Sequence, residues 1–290
     1  LLIKNNNYSL GNIILTLFYT DMIFKFSQEI EQIITSIGET LPSFEHIESI
    51  FQLKEEQSGT QSLQKINSIT FHNVHFRYLN GNKDILNKLN CSFKQGDIIK
   101  VEGLNASGKS TFINIIKGIL VPTKGEYHIN NKSISNFNKS ELRRKILYIG
   151  SDELFLDEDI ITYFENITKQ NNIKSEVEDL LKQLSFQDKK ECSVNNRILD
   201  SKGSTLSAGQ KKKIQLIKLL LMYHNSDVIV IDELGANLDQ KTIALLNSFK
   251  NKLWNCDNNK IIFEISHYLK NDDIYNKKYK IENGSLLKIN

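Results

Sequence analysis

The segment Gly103-Leu104-Asn105-Ala106-Ser107-Gly108-Lys109-Ser110 limits the folds open to this 290-residue chain more than any other feature. It reads Gly, four residues, then Gly-Lys-Ser, the pattern of a phosphate-binding loop. Each residue type has a physical reason. Glycines let the backbone curl so that successive N–H groups converge on one anion. A helix starting at the loop turns its unpaired N–H groups and the positive end of its dipole on the same anion. Lys109 has the length to reach the outer phosphates, and the Ser110 hydroxyl can ligate Mg²⁺. The flanks supply the context this motif requires. Residues 97–102 read as a short strand entering the loop, and 110–119 carry apolar residues at helical spacing. A chance glycine turn before a lysine would not carry both flanks.

A second segment, 227–233, is an apolar run that ends in Asp232 and Glu233. A buried parallel strand with ligands at its carboxyl end has this form. Asp232 suits an Mg²⁺ partner, and Glu233 can polarise an attacking water as a general base. Alone, the run would also fit a core strand ending in a solvated acidic turn. The chain is 40% hydrophobic, enough for a core, and 37 basic against 34 acidic residues leave a formal charge of +3. That balance and the lack of a basic stripe with interleaved aromatics give no call for nucleic acid. Cys91, Cys192 and Cys256 are far apart, with no metal spacing or disulfide framework, which fits a reducing compartment.

Between these segments lies Leu206-Ser207-Ala208-Gly209-Gln210, followed by a helical run through residue 222. Taken alone, Ser207 is an ordinary helix N-cap. In this order and spacing, the three segments resemble the nucleotide-binding domains of ATP-binding cassette (ABC) transporters. The resemblance covers about residues 66–290 and makes 206–210 the signature motif, with alanine at one usual glycine position. Tyr78 stands where the family stacks an aromatic on adenine. Ala236-Asn237-Leu238-Asp239 resembles the D-loop, and Ser266-His267, after the apolar run 260–265, resembles the switch histidine. Without the family, Tyr78 would read as a strand-end aromatic and His267 as a histidine at a strand terminus.

The resemblance implies a set of site residues. ATP would be held by Tyr78, Gly103, Asn105, Ala106, Ser107, Gly108, Lys109, Ser110 and Thr111 of one domain. Ser207, Gly209, Gln210 and Asp239 of a second domain would complete it, because the signature helix grips a γ-phosphate held by the opposite subunit. Mg²⁺ would be met by Ser110, Asp232 and Ser151, and catalysis carried by Glu233 and His267. Ser151 occupies the family's glutamine position after the strand 146–149. Serine is shorter, so either its metal contact runs through water or coupling is weakened. Ser201 replaces an exporter-type acid, with Asp200 adjacent, Leu234 replaces the proline after the catalytic acid, and Lys211-Lys212-Lys213 replaces an arginine. The acids Asp152, Glu153, Asp157, Glu158 and Asp159 read first as a solvated loop and helix start, second as a docking surface for a membrane domain.

Residues 8–26 are mostly apolar but interrupted by Asp21 and Lys25, marginal for an isolated membrane span. Ile30, Ile33, Ile34, Ile37 and Leu41 mark one helical face, Pro42-Ser43 is expected to break it, and 55–62 is polar. The chain does not begin with methionine and starts mid-pattern, as a fragment would. The expected organisation is the end of a transmembrane domain over 1–55, a linker over 56–65 and an ATP-binding domain over 66–290. The fold class is α/β: an ABC-type P-loop NTPase core, an antiparallel β-subdomain (69–78 and 85–93) and a helical subdomain (159–185 and 207–223). The core sheet is expected from 97–102, 146–149, 227–232 and 260–265. A terminal hairpin is expected over 278–281 and 286–289, turning at Asn283-Gly284.

The resemblance therefore implies the ATPase part of an integral cell-membrane exporter, with the ATPase on the cytoplasmic side. Its partners would be a second ABC subunit and the upstream transmembrane domain. The transported substrate is open, with a peptide or bacteriocin as the first guess. A soluble ABC-type ATPase and a degenerate partner in a heterodimeric transporter are the alternatives.

Overall fold

The computed structural model describes residues 10–53, 55–79, 81–150, 155, 158–186, 206–235, 238–256, 259–265 and 274–289. The chain divides into two units, Leu1–Gln57 and Ser58–Asn290. In the first, one 42-residue helix, α1 (Leu10–Phe51), has no buried residue. It runs through Pro42, where the sequence predicted a break. A proline removes one backbone hydrogen bond and presses on the carbonyl four residues back, here that of Gly38. The apolar stripe nevertheless continues past it through Phe44, Ile47, Ile50 and Phe51, all exposed. Within the apolar stretch, Lys25 pairs with Asp21 at 2.8 Å. No described helix is long and apolar enough to cross a membrane.

In chain order the second unit contains β1 (Ser68–Phe76), β2 (Leu86–Lys94), β3 (Ile98–Gly103), α2 (Lys109–Ile116), β4 (Lys124–Ile129), β5 (Lys132–Ser133), α3 (Lys139–Arg144), β6 (Ile146–Ile149), α4 (Ile160–Thr168), α5 (Lys174–Gln183), α6 (Ala208–Met222), β7 (Val228–Asp232), α7 (Gln240–Cys256), β8 (Ile261–Ile265), β9 (Lys277–Glu282) and β10 (Ser285–Ile289). Two sheets result. One is antiparallel, in the order β2-β1-β4-β5, and the other has the order β10-β9-β3-β8-β7-β6. In the second sheet β9, β3, β8, β7 and β6 pair in parallel, and β10 returns antiparallel to β9. All five residues of β8 and the first four of β7 are buried, as a strand covered on both faces must be.

The strands stand where alternating and apolar runs predicted them, with small shifts at their ends. The sequence did not indicate β4, β5, α3 or α7. The helix expected over 159–185 is two helices, because Lys169 takes a left-handed conformation (φ 57°, ψ 34°) that closes α4. Asp159 caps α4, accepting from the Ile161 and Thr162 backbone N–H groups at 3.0 Å. That matches the plainer reading of this acidic residue. Within the expected linker, residues from Ser58 onward belong to the second unit. Gly59 N and Gln61 N donate to the carbonyls of Phe137 and Asn136, and Leu63 N donates to Glu141 Oε2 at 2.8 Å.

Two buried clusters hold the second unit. The first fills the space between the sheets, with Phe112 of α2 at its centre. The Phe112 ring lies 5.7 Å from Phe71 of β1 and 6.2 Å from Phe263 of β8, which seats the helix on both sheets. The second cluster joins Ile149, Ile229 and Ile231 of the sheet to Phe164, Val177 and Ile217 of the helices. Beneath α7, Lys250 pairs with Glu264 of β8, and the Tyr275 hydroxyl donates to the other Glu264 oxygen at 2.9 Å. Both charged residues are almost fully buried. Removing one partner leaves the other charge uncompensated, so Lys250→Met is expected to cost about 3–5 kcal/mol. Lys250→Met combined with Glu264→Leu recovers most of that loss, as urea unfolding would show.

Candidate functional site

Parallel register brings the carboxyl ends of three strands to one edge. Val101 of β3 and Asp232 of β7 both pair with Ile265 of β8. Two residues beyond Val101 the chain leaves β3 at Gly103 and enters the loop. Ala106 (φ 61°) and Gly108 (φ 106°) are left-handed, so the backbone alternates hand and curls as an anion nest does. Gly108 caps α2 with no side-chain bond, which leaves the first N–H groups of the helix unclaimed by a cap. A Cβ on Gly108 would lie 3.0 Å from Leu86 and 3.2 Å from the Ile85 carbonyl, in a conformation that only glycine takes easily.

The Ser107 hydroxyl is buried and has no hydrogen-bond partner. A buried polar atom left this way needs a partner, and a phosphate oxygen supplies the acceptor it lacks. Lys109 donates to the carbonyls of Gly103 at 2.7 Å and Leu104 at 2.9 Å. Its ammonium thus spans the loop it belongs to. Asn105, Ala106 and Ser110 are exposed. The Tyr78 hydroxyl lies 3.2 Å from Thr111 Oγ1 at the start of α2. The Tyr78 ring meets Phe76 edge-on, yet is 46% exposed, which leaves aromatic surface open beside the loop. These residues form one group and fit a nucleotide with its phosphates in the loop.

Asp232 ends β7 half-buried, and Tyr148 Oη donates to its Oδ2 at 3.4 Å. Glu233 follows, exposed, in a left-handed backbone conformation (φ 50°) uncommon for a residue with a side chain. Two bonds hold it there. Its N–H donates to the Ile265 carbonyl at 2.9 Å, and its own carbonyl accepts from Lys212. Burial pushes the Lys212 ammonium below its ordinary value, while the Glu233 and Asp232 carboxylates pull the other way. Ser110 and Asp232 offer hard oxygen donors of the kind Mg²⁺ takes. No group of three His, Cys, Asp or Glu side chains arranged for a metal occurs among the described residues.

Ser207 is the N-cap of α6 and closes a capping box. Gln210 N donates to Ser207 Oγ at 3.2 Å, and Ser207 N donates to Gln210 Oε1 at 2.8 Å. The Ser207 hydroxyl accepts in this box and keeps its own proton to donate. Asp239 caps α7 through Thr242 N at 2.8 Å and pairs with Lys213 of α6 at 2.9 Å. Ser151, His267, Ala236, Asn237, Asp200 and Ser201 lie outside the described residues. Sequence reading missed Tyr148 and Gln215, and singled out Lys212 only as part of the lysine run that replaces an arginine. Gln215 is the one with a visible signal, an amide inside the apolar run of α6.

The Lys213 ammonium and the Thr242 N–H hold the Asp239 carboxyl well below its ordinary value of 3.8. A depressed folded value means the stabilisation is present above the unfolded value and is lost as pH falls toward the folded one. Asp239→Ala is expected to cost about 1 kcal/mol, the usual worth of an N-cap. The gap to wild type should narrow as pH drops below 3.8, as thermal melts across pH would check.

A phosphate nest at the carboxyl edge of a parallel sheet, with a carboxylate in the same register row, defines a P-loop nucleotide-binding protein. The family described as "ABC transporter" matches residues 86–236, more than half of the sequence, and the chain belongs to that family. A probable ABC transporter ATP-binding/permease protein of Haemophilus influenzae is 28% identical over 266 residues, covering 87% of this chain and 45% of that protein. The alpha-hemolysin translocation ATP-binding protein HlyB of Escherichia coli is 27% identical, covering 91% of this chain and 36% of that one. A solved structure of a bacterial Atm1-family ABC exporter with ATP bound has the same fold, with TM-score 0.69 and 19% identity. It covers 96% of this chain, which spans 48% of that one. The chain thus spans less than half the length of these relatives.

Proposed function

We propose that this chain is the ATP-binding and ATP-hydrolysing part of an exporter, driving transport of a substrate across the cell membrane. The observation that carries this is the register row that sets the Asp232 carboxylate beside a loop whose buried Ser107 hydroxyl lacks a partner. The names of the relatives agree in direction, since they are ATP-binding/permease and translocation proteins. ATP is bound by the Gly103–Thr111 loop, with its adenine on Tyr78. Lys109 leaves the loop carbonyls and turns to the outer phosphates. Mg²⁺, when bound, neutralises charge that builds on the phosphoryl oxygens. Ser110 and Asp232 would hold it, with Ser151 contacting it through water.

Glu233 takes a proton from the attacking water, and His267 orients that water against the γ-phosphate. Ser207, with Gly209 and Gln210, serves the nucleotide of a second ABC subunit, since the free proton of Ser207 and the α6 N-terminus suit an anion brought from outside. Asp239 lies between the two functions, tied to the signature helix by Lys213. α1, within 1–55, is the end of a transmembrane domain, and its exposed apolar stripe packs against other helices of that domain. The ATPase lies on the cytoplasmic face. Cargo choice belongs to the membrane-embedded part, consistent with relatives named for alpha-hemolysin translocation and for beta-(1→2)glucan export.

Glu233→Gln is expected to bind ATP as tightly as wild type and to hydrolyse it at least about 100-fold more slowly, the ordinary contribution of a general base. Nucleotide binding and phosphate release, measured separately, check both halves. Undiminished turnover would overturn the general-base role.

A further inference from the structure

Tyr148 lies on β6, the edge strand of the larger sheet, and pairs in register with Val230 of β7. Side chains alternate along a strand, so Tyr148 shares a face with Asp232, two residues beyond Val230. Its hydroxyl donates to Asp232 Oδ2 at 3.4 Å, a long hydrogen bond. Three neighbouring residues set the ring. A Cβ on Gly150 would lie 2.0 Å from Tyr148 Oη and 2.3 Å from Cζ, so any larger residue there displaces the phenol.

Gln215 of α6, almost fully buried, donates from Nε2 to the Gly150 carbonyl at 2.5 Å, and its Oε1 has no partner. A half-satisfied amide among Ile214, Leu216 and Ile217 is costly for packing alone. What it holds is the backbone that makes room for the phenol. Lys117, at the end of α2, places its ammonium 4.0 Å from the centroid of the Tyr148 ring.

We propose that Tyr148 is a positioning residue for Asp232, and that its hydroxyl, set by Gly150, Gln215 and Lys117, tunes how tightly the site takes the divalent cation that accompanies the nucleotide. A donor on one oxygen of a carboxylate fixes the plane in which the group meets a metal. The assignment rests on the proposed function.

Mn²⁺ is the probe. Free Mn²⁺ is followed by electron paramagnetic resonance on the full chain, with a non-hydrolysable ATP analogue at saturation. Tyr148→Phe is expected to weaken Mn²⁺ binding about tenfold while leaving analogue binding in EDTA and thermal stability close to wild type. Gly150→Ala should weaken Mn²⁺ binding to a similar degree, and adding it to Tyr148→Phe should bring little further loss. If Gly150→Ala does not fold, Tyr148→Phe alone decides. Wild-type Mn²⁺ affinity in Tyr148→Phe, or losses that simply add in the double variant, would overturn the positioning role. A wild-type chain that fails to bind the analogue would instead overturn the proposed function, and this assignment with it.

Discussion

Parallel hydrogen bonding between β3, β8 and β7 is the constraint on which the rest of the second unit depends. Antiparallel strands would point alternate ends at any one edge. Parallel strands in register deliver the same end of each, so one row can hold Val101, Ile265 and Asp232 side by side. The loop that leaves β3 and the acids that end β7 are thereby brought to one edge. Such a sheet must be covered on both faces, which explains the apolar strands and the two clusters that pack on them. Phe112 ties this to the loop, because the helix that presents the nest is anchored by an aromatic wedged between the sheets.

Around that edge, α6 bonds to three segments. Lys212 reaches the Glu233 carbonyl, Lys213 the Asp239 carboxylate, and Gln215 the Gly150 carbonyl. Three neighbouring positions on one helix thus hold the segments that follow β7 and β6. The N-terminus of the same helix carries Ser207 and its capping box. A ligand that pulled on that end would act on a rigid rod already bonded to the groups around Asp232. Glu233 is held in a left-handed conformation by bonds from β8 and from α6 itself.

How far the fold could be read in advance followed from how strongly each segment had to hide apolar surface. β7 and β8 were plain because nearly every residue is buried. β4 was not, since only Tyr127 and Ile129 of its six residues are buried. α7 followed directly on residues read as a loop motif. Pro42 was read as a stop by its chemistry, but the stripe on both sides kept the helix going. In the site, the motif residues were found because their spacing along the chain is itself the signal. Tyr148 and Gln215 act across the sheet, through a register and a missing Cβ, and no linear pattern records that.

β3 has one more property, visible in its neighbours. The strand that feeds the nest lies between β8 and β9, and Gly103 pairs with Ile281. The turn at Gly284 then accepts from Asn87 N at 2.7 Å, and a Cβ there would lie 2.7 Å from the Ile85 carbonyl that also backs Gly108. Both flanks of β3 are therefore made more than 150 residues after it. On a ribosome, the nest emerges before β8 and β9 and waits with its strand edges unpaired until both have followed it. The loop with the plainest sequence signature thus takes its final shape only after strands far along the chain from it have formed.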